Sequence, residues 1–346
     1  MVENYFNNLD VIIIATIKDV AKLANVSVSA VSKAFNSYNE ISEPTKERIF
    51  AAAKELEYIP NKSAVDLSRG KRPYLGLIVN DLNSNAVCDE YIFRLLSGTH
   101  ERANELGQEI IIFTAPQIKK LNKSYVDFCK HHTLVGAIVH GLDADDPYLT
   151  ALLESPIPCV LIDIQKTGDS TAFVTTNNFE ASKEVVDLFV LKGHKSICHI
   201  AGGATSFVTE ERKNGFLQAA ESHNIASENI FVIQGDFREE TAYLNTKELL
   251  KAKKDITAIF AASDIMALGA SRAINELGFK IGKDIALVGF DGFKAMEYTS
   301  PPIATVFQDF HAMGRIAVDT LLKIYRNQDF NPRNYVPHAI FHRGSV

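Results

Sequence analysis

At 346 residues the chain is too long for one ordinary hydrophobic core, so two or three domains are expected. Its 46% hydrophobic and 23% charged residues are those of a soluble globular protein, and its net charge of -6 argues for no partner until it is divided by region. The four cysteines (Cys88, Cys129, Cys159, Cys198) are widely spaced with no C-x-x-C pair, which argues against a zinc site or a disulfide framework and fits a reduced, cytoplasmic setting.

The first apolar run, Val11 to Ala15, is too short for a signal sequence or a membrane span, and the residues before it are polar and acidic. Residues 1–15 therefore read as an extension outside any domain, expected to be disordered. No later stretch reaches spanning length without charge, so no membrane partner is expected.

Residues 16–60 read as three short helices. Ile17, Val20, Ala21 and Ala24 recur at helical spacing in the first. Ser27 is placed to cap a second that carries Val28, Val31, Ala34 and Phe35. Pro44 sits in the first turn of a third with Ile49, Ala52, Ala53 and Leu56, and Pro60 ends it. Between the first two, Asn25 can take the left-handed backbone of a tight turn. Val26 and Val31 then pin the helices together, leaving Val28, Ser29, Ser32 and Lys33 outward at the start of the second. Those are positions that enter a major groove when a helix docks N-terminus first. Residues 61–72 form a short basic, polar linker. Residues 16–72 hold ten Lys/Arg against seven Asp/Glu, a mildly basic head on an acidic body.

From Tyr74 the texture changes. LGLIVN, EIIIF, VGAIVHG, PCVLID, SICHIAGG, TAIFAAS and IALVGFD are buried-strand runs separated by helical segments. That alternation predicts parallel sheets with right-handed crossovers, in two blocks. The fold class expected is α/β, with a three-helix head and two doubly wound parallel-sheet subdomains. No G-x-S-x-G, G-x-x-x-x-G-K-[ST] or H-E-x-x-H occurs, so neither catalytic residues nor a cofactor is expected. Gly202–Ser206 reads as a strand-to-helix turn, and Asp143, Asp145 and Asp146 as a solvated acidic loop rather than a metal site.

The stretch T-I-K-D-V-A-K-L-A-N-V-S-V-S-A-V-S, followed by Y-I-P-N-K-S-A-V-D-L (Tyr58 to Leu67), resembles the LacI/GalR family of bacterial repressors. The resemblance implies a helix-turn-helix domain at 16–60, a hinge at 61–72 and a periplasmic-binding-protein-like core at 73–346. Within that core, residues 73–174 and 308–336 would form one subdomain, and 175–306 and 337–346 the other. It implies that Val28, Ser29 and Lys33 face base edges, while Thr16, Ser27, Ser32, Asn36, Ser42 and Thr45 bond phosphates. A hinge helix from Asn61 would pack through Ala64 against a dimer mate and wedge Leu67 into the minor groove. Asn25 for the usual glycine, Ala30 for threonine, Lys33 for arginine and Asp66 in the hinge depart from the family pattern, and predict altered operator preference.

The resemblance continues through the core. It implies a ligand between the subdomains at the carboxyl ends of the strands, with Arg212 and Asp291 bonding hydroxyls. Asp163 and Ser263 would line the same cleft, and Phe237 and Phe310 would pack on the ligand. Read without it, the carboxylates could be helix caps or structural partners, Arg212 a salt-bridge residue and the phenylalanines core. The implied function is repression of carbohydrate-utilisation genes by a homodimer on a pseudo-palindromic operator, controlled by a sugar or sugar derivative. The alternatives are a carbohydrate-binding protein with a degenerate head, and a sugar-processing enzyme. A protein co-regulator docking on the core is left open. The loop Asn80–Val87 lacks the family's usual aromatic pair, so effector identity does not transfer.

Overall fold

The computed structural model describes residues 16–35, 40–56, 58, 74–80, 90–143 and 145–346. It divides into two compact units, one up to Pro73 and one from Tyr74 onward.

In the first unit, α1 (Ile17–Leu23), α2 (Val28–Phe35) and α3 (Glu43–Glu55) pack around Val20, Ala21, Val31, Ala34, Ile49 and Ala53. The α1–α2 turn closes as the sequence predicts. Asn25 has φ +51°, and the Val26 N–H donates to the Ala21 carbonyl at 3.0 Å. Val31 is fully buried and Val26 packs beside it. Pro44 lies in the first turn of α3, where its missing N–H has no helical partner to lose.

The second unit holds two six-stranded sheets. The first contains β1 (Tyr74–Val79), β2 (Glu109–Thr114), β3 (Ala137–His140), β4 (Cys159–Ile162), β5 (Thr171–Thr176) and β11 (Arg333–Val336), in the order β11-β5-β4-β3-β1-β2. The second contains β6 (Ile197–Ala201), β7 (Ile230–Gln234), β8 (Ala258–Ala261), β9 (Ala286–Asp291), β10 (Ala304–Gln308) and β12 (His338–Phe341), in the order β12-β10-β9-β8-β6-β7. All pairings are parallel except β10 with β12. The central strands are buried on both faces, which is why they read as unbroken apolar runs.

Helices cover both faces of each sheet. On the first, α4 (Glu90–Glu105) and α12 (Phe310–Tyr325) pack on one side through Leu95, Met313 and Leu321. There α5 (Ala115–Lys120), α6 (Tyr125–His131) and α7 (Pro147–Leu153) cover the other through Ile118, Tyr125 and Leu149. On the second, α8 (Asn178–Leu191) and α9 (Phe207–Ser222) bury Phe189 and Phe216. The opposite face takes α10 (Glu239–Ala252) and α11 (Asp264–Glu276) through Leu250 and Ile274. The contact of α4 with α12 is backbone on backbone: a Cβ on Gly98 would lie 2.0 Å from the His311 carbonyl oxygen.

The chain passes between the sheets three times. β5 runs through Val174 to Thr176 in the first sheet, and α8 follows on the second. β10 ends at Gln308 in the second, and α12 returns to the first. β11 ends at Val336 in the first, and after Pro337 β12 begins in the second. Each subdomain is therefore built from separated pieces of chain.

Candidate functional site

The first unit presents the start of α2 as a free surface. Ser27, Val28 and Ser29 are exposed, and Val28 is 41% exposed although apolar. Ser32 and Lys33 are half-buried one turn on. Ser27 caps the helix by accepting the Ala30 N–H at 3.1 Å. The Thr16 hydroxyl donates to Asp19 at 2.6 Å, and Ser42 and Thr45 share a 2.9 Å hydrogen bond. The Lys33 ammonium is ion-paired with Glu40, a contact not foreseen from the sequence. Asn36, Asn61, Ala64 and Leu67 lie outside the described residues.

The second unit contains a cavity of about 330 Å³ between its two sheets. Asp163, Arg212, Phe237, Ser263, Asp291 and Phe310 all line it. They converge because the carboxyl ends of β3, β4, β8, β9 and β10 meet there. Asp163 follows β4 with φ +60°, and Asp291 closes β9 with φ +120°. Carboxylates in such backbone conformations are held by the fold around them.

A hydrogen-bonded chain connects the two subdomains through this wall. The Thr175 hydroxyl donates to Asp163 Oδ1 at 2.6 Å and accepts from Asn178 Nδ2 at 3.2 Å. Asn178 Oδ1 in turn accepts from Arg212 Nε at 2.8 Å. Arg212 also donates through Nη1 to the Ala262 carbonyl, and its guanidinium lies over the Phe290 ring. It is only 2% exposed. Burial works against its charge, and Asp291, Asp163 and Asp264 favour it. Arginine stays protonated in such settings, so a fixed cation sits at the cavity wall.

Asp291 answers that cation imperfectly. Burial pushes its carboxyl up to about 7, although Arg212 and a 2.9 Å hydrogen bond from Gln308 Nε2 pull the other way. Asp264, wholly buried behind it, is raised well above its ordinary value by burial and by Asp291. Asp264 accepts from the Phe293 N–H and the Thr305 hydroxyl, each at 2.6 Å. It is thus a structural tie between α11, β10 and the loop after β9. Ser263 caps α11 by accepting the Met266 N–H at 3.3 Å.

Phe237 has φ +54° and lays its ring against Gly202, where a Cβ would fall 2.1 Å from the ring. Phe310, at the start of α12, is packed in the core as well as lining the cavity, with Tyr91 5.6 Å away. Phe310 thus belongs to the core and to the cavity wall at once.

Sequence reasoning passed over several lining residues. Tyr91, His140, Phe207 and Gln308 all line the cavity, as does Asn80, which opens the loop the sequence did single out. His140 and Gln308 end β3 and β10, so their place at the carboxyl end of a strand was the available signal. At the cavity mouth the Thr205 hydroxyl donates to Asp143 Oδ1 at 2.7 Å, joining loops from opposite subdomains. Gly202–Ser206 is the turn from β6 into α9. The acidic loop needs correction. Asp146 is 6% exposed rather than solvated, because it caps α7 and accepts from the Tyr125 hydroxyl and Lys119, each at 2.9 Å. Among the described residues no group of His, Cys, Asp and Glu could hold a metal ion, and no helix is long and apolar enough to cross a membrane.

Comparison with known proteins gives two family matches. Residues 16–61 match the profile of bacterial regulatory proteins of the lacI family, and residues 186–346 match a periplasmic binding protein-like domain. The chain is 30% identical over 335 residues to the HTH-type transcriptional repressor PurR of Escherichia coli O139:H28, spanning 96% of this chain and 97% of that one. The PurR of Actinobacillus pleuropneumoniae serotype 3 is 28% identical over 95% of this chain and 96% of its own. Among solved structures, the lac repressor dimer bound to operator and the anti-inducer ONPF matches with a TM-score of 0.81 at 26% identity, over 96% of this chain and 99% of that one. The complex of the transcriptional regulator CelR with cellobiose matches with a TM-score of 0.73 at 25% identity, over 96% and 100%.

Proposed function

The chain belongs to the lacI family of bacterial regulatory proteins, and from that premise we propose a homodimeric repressor whose grip on a pseudo-palindromic operator is set by a sugar or sugar derivative in the core cavity. That it is a DNA-binding transcriptional repressor with a ligand-binding core follows from the family itself. The operator, the ligand class and the dimer go beyond the family. The observation that carries the ligand class is the meeting of Asp163, Arg212 and Asp291 with Phe237 and Phe310 around one cavity. Carboxylates and a guanidinium offer paired partners to ligand hydroxyls, and an aromatic ring covers the apolar face of a pyranose. A fold neighbour that holds cellobiose supports it.

On the DNA side, Val28, Ser29 and Lys33 read base edges, and Thr16, Ser27, Ser32, Asn36, Ser42 and Thr45 set the register on phosphates. One head covers only a half-site, so two copies are required. The lac repressor neighbour is a dimer on its operator, which supports the same assembly here. Asn61 to Leu67 supply the hinge, with Ala64 at the dimer contact and Leu67 as the wedge. Ligand binding changes operator affinity only to the extent that it prefers one relative arrangement of the subdomains.

The test is a gel shift of the full chain on its own promoter region across a salt series, with and without candidate sugars. Binding no tighter than to random DNA of the same length would sink the regulator reading. Specific binding that no sugar alters would sink the sugar.

A further inference from the structure

The two subdomains of the core are tied together at the first turn of α4. Glu90 opens that helix in the first subdomain, and its two carboxylate oxygens accept the Lys294 N–H of the second at 3.0 and 3.2 Å. Arg94, one turn on, is ion-paired with Glu90 and donates to the Gly292 carbonyl at 3.2 Å. Its guanidinium also stands 5.8 Å from the centre of the Phe307 ring on β10. Between the two charged residues, Tyr91 packs against the cores of both subdomains. Neither charged side chain is more than 29% exposed, so water screens these bonds less than it would a surface pair.

The loop that α4 grips is rigid on its own side. Gly292 has φ +77°, and a Cβ there would fall 2.6 Å from the Phe307 ring. Its N–H donates to the Thr305 hydroxyl at 3.2 Å, and the Phe293 N–H donates to Asp264 at 2.6 Å. Of three consecutive N–H groups, two are thus satisfied within the second subdomain, while the third, on Lys294, is satisfied by the first. When the subdomains separate, that donor and the Glu90 carboxylate lose each other, although loop and helix keep their own bonds. A contact of this kind belongs to one arrangement of the subdomains and stabilises it. The same arrangement carries a second set of ties on other loops. Thr205 donates to Asp143, and Phe207 of α9 packs against the core of the first subdomain. Glu90, Arg94, Gly292 and Lys294 do not line the cavity, so they act on the balance between arrangements and not as ligand contacts.

We propose that Glu90 and Arg94 form a clasp that holds the core closed before any ligand binds, so that a contact inside the core sets the operator affinity of the ligand-free repressor. Removing a charge-assisted hydrogen bond of this kind shifts a two-state balance by about tenfold. Nothing in the clasp depends on which ligand the cavity takes, and its control of the operator rests on the family assignment.

The chain contains no tryptophan, so Phe207→Trp places a single fluorescent reporter on the second subdomain where it packs against the first. In the full chain carrying that reporter, Glu90→Ala removes the acceptor. Lys294→Pro removes the donor, at a position where the preceding residue is already extended as proline requires. Each raises acrylamide quenching of the reporter at least twofold, and the two together go no further than Glu90→Ala alone. Glu90→Asp keeps a negative charge in the first turn of α4 but falls short of Lys294, and behaves like Glu90→Ala. Quenching at parental strength in Glu90→Ala or Lys294→Pro overturns the clasp, as does parental quenching in Glu90→Asp, which assigns the effect to fraying of α4. A thermal melt identifies a variant that has lost its fold, and either folded single variant then decides. Without the reporter, anisotropy titration of the ligand-free variants on the chain's own promoter region reads the control of DNA. Operator affinity changes at least threefold, and its sign shows whether the closed arrangement is the one that holds DNA. Unchanged affinity beside raised quenching overturns that control. A parent that binds no promoter specifically counts against the repressor reading, and the quenching result still decides the clasp.

Discussion

The guanidinium of Arg212 lies over the Phe290 ring, its carbon 3.7 Å from the ring centroid. The stack uses the flat face of the cation and leaves its edges to Asn178 and Ala262. One residue thus ties α9 to α8, to β9 and to the end of β8, while still reaching the cavity.

Arg212→Lys is expected to lose both the stack and the planar fork. Effector affinity falls at least thirtyfold, and the melting temperature falls by several degrees for a loss of about 1–3 kcal/mol. Calorimetric titration and a thermal melt check the pair. Arg212→Ala is worse for stability, by about 3–5 kcal/mol, because the facing carboxylates are left buried without a counter-charge.

Asp291 gives the core a pH dependence with a definite sign. Its carboxyl is raised from an ordinary 3.8 to about 7, so between these values the folded chain holds a proton that the unfolded chain has released. The contribution to stability is therefore full below about 4 and is lost as pH rises through 7, with a slope of at most about 1.4 kcal/mol per pH unit. Urea unfolding at pH 5.5 and 7.5 shows it: Asp291→Asn gains on the parent as pH rises. A parent and variant that run parallel across this window would refute the assignment.

Glu40 holds Lys33, the proposed base reader, in an exposed ion pair. Such pairs contribute little to stability, so Glu40→Gln leaves the melting temperature within about 1 °C. It frees the ammonium and removes a negative charge beside the DNA. Operator binding tightens, and the gain shrinks as salt rises, because the exposed pair that competes for the ammonium is itself screened. Fluorescence anisotropy at four salt concentrations measures both.

Thr205→Val removes the hydrogen bond to Asp143 across the cavity mouth. A single exposed hydrogen bond is worth about 1 kcal/mol, so ligand dissociation should quicken about fivefold with little change in association. Stopped-flow displacement separates the two rates. Slower association with unchanged dissociation would argue that the mouth contact plays no part in holding the ligand.

The sequence was most readable where chemistry and periodicity agreed. Asn25, flanked by Val20 and Val31 in helical register, announced the turn of the head, and its φ of +51° follows from the tolerance of Asn for that region. Apolar runs such as AIVH and CVLI announced doubly buried parallel strands, whereas the cleft was implied by the family resemblance alone, since a carboxylate at a strand end serves equally as a helix cap. What was hidden is long-range. Only its place at the end of β3 distinguishes His140, embedded in an apolar run, from a core histidine such as His199, which stacks on Phe216 and contacts the Phe260 carbonyl. The burial of Asp146 depends on Lys119 and Tyr125, which come from elements brought beside it only by the fold. In the Lys33–Glu40 pair the carboxylate lies beyond the end of α2 at Phe35, so no helical pattern foretells it.

The threefold passage of the chain between its sheets also sets an order of assembly on the ribosome. The strands β6 to β10 of the second sheet emerge consecutively and lack only β12. The first sheet, although synthesised earlier, waits for α12 and β11 before Leu95 and its neighbours on α4 are covered. Its apolar face is covered by α4 alone while more than a hundred residues of its partner are made. A chain stalled before Phe310 would thus carry a first sheet covered on that face by α4 alone, a natural target for chaperones and proteases, and both halves close only as the last strands emerge.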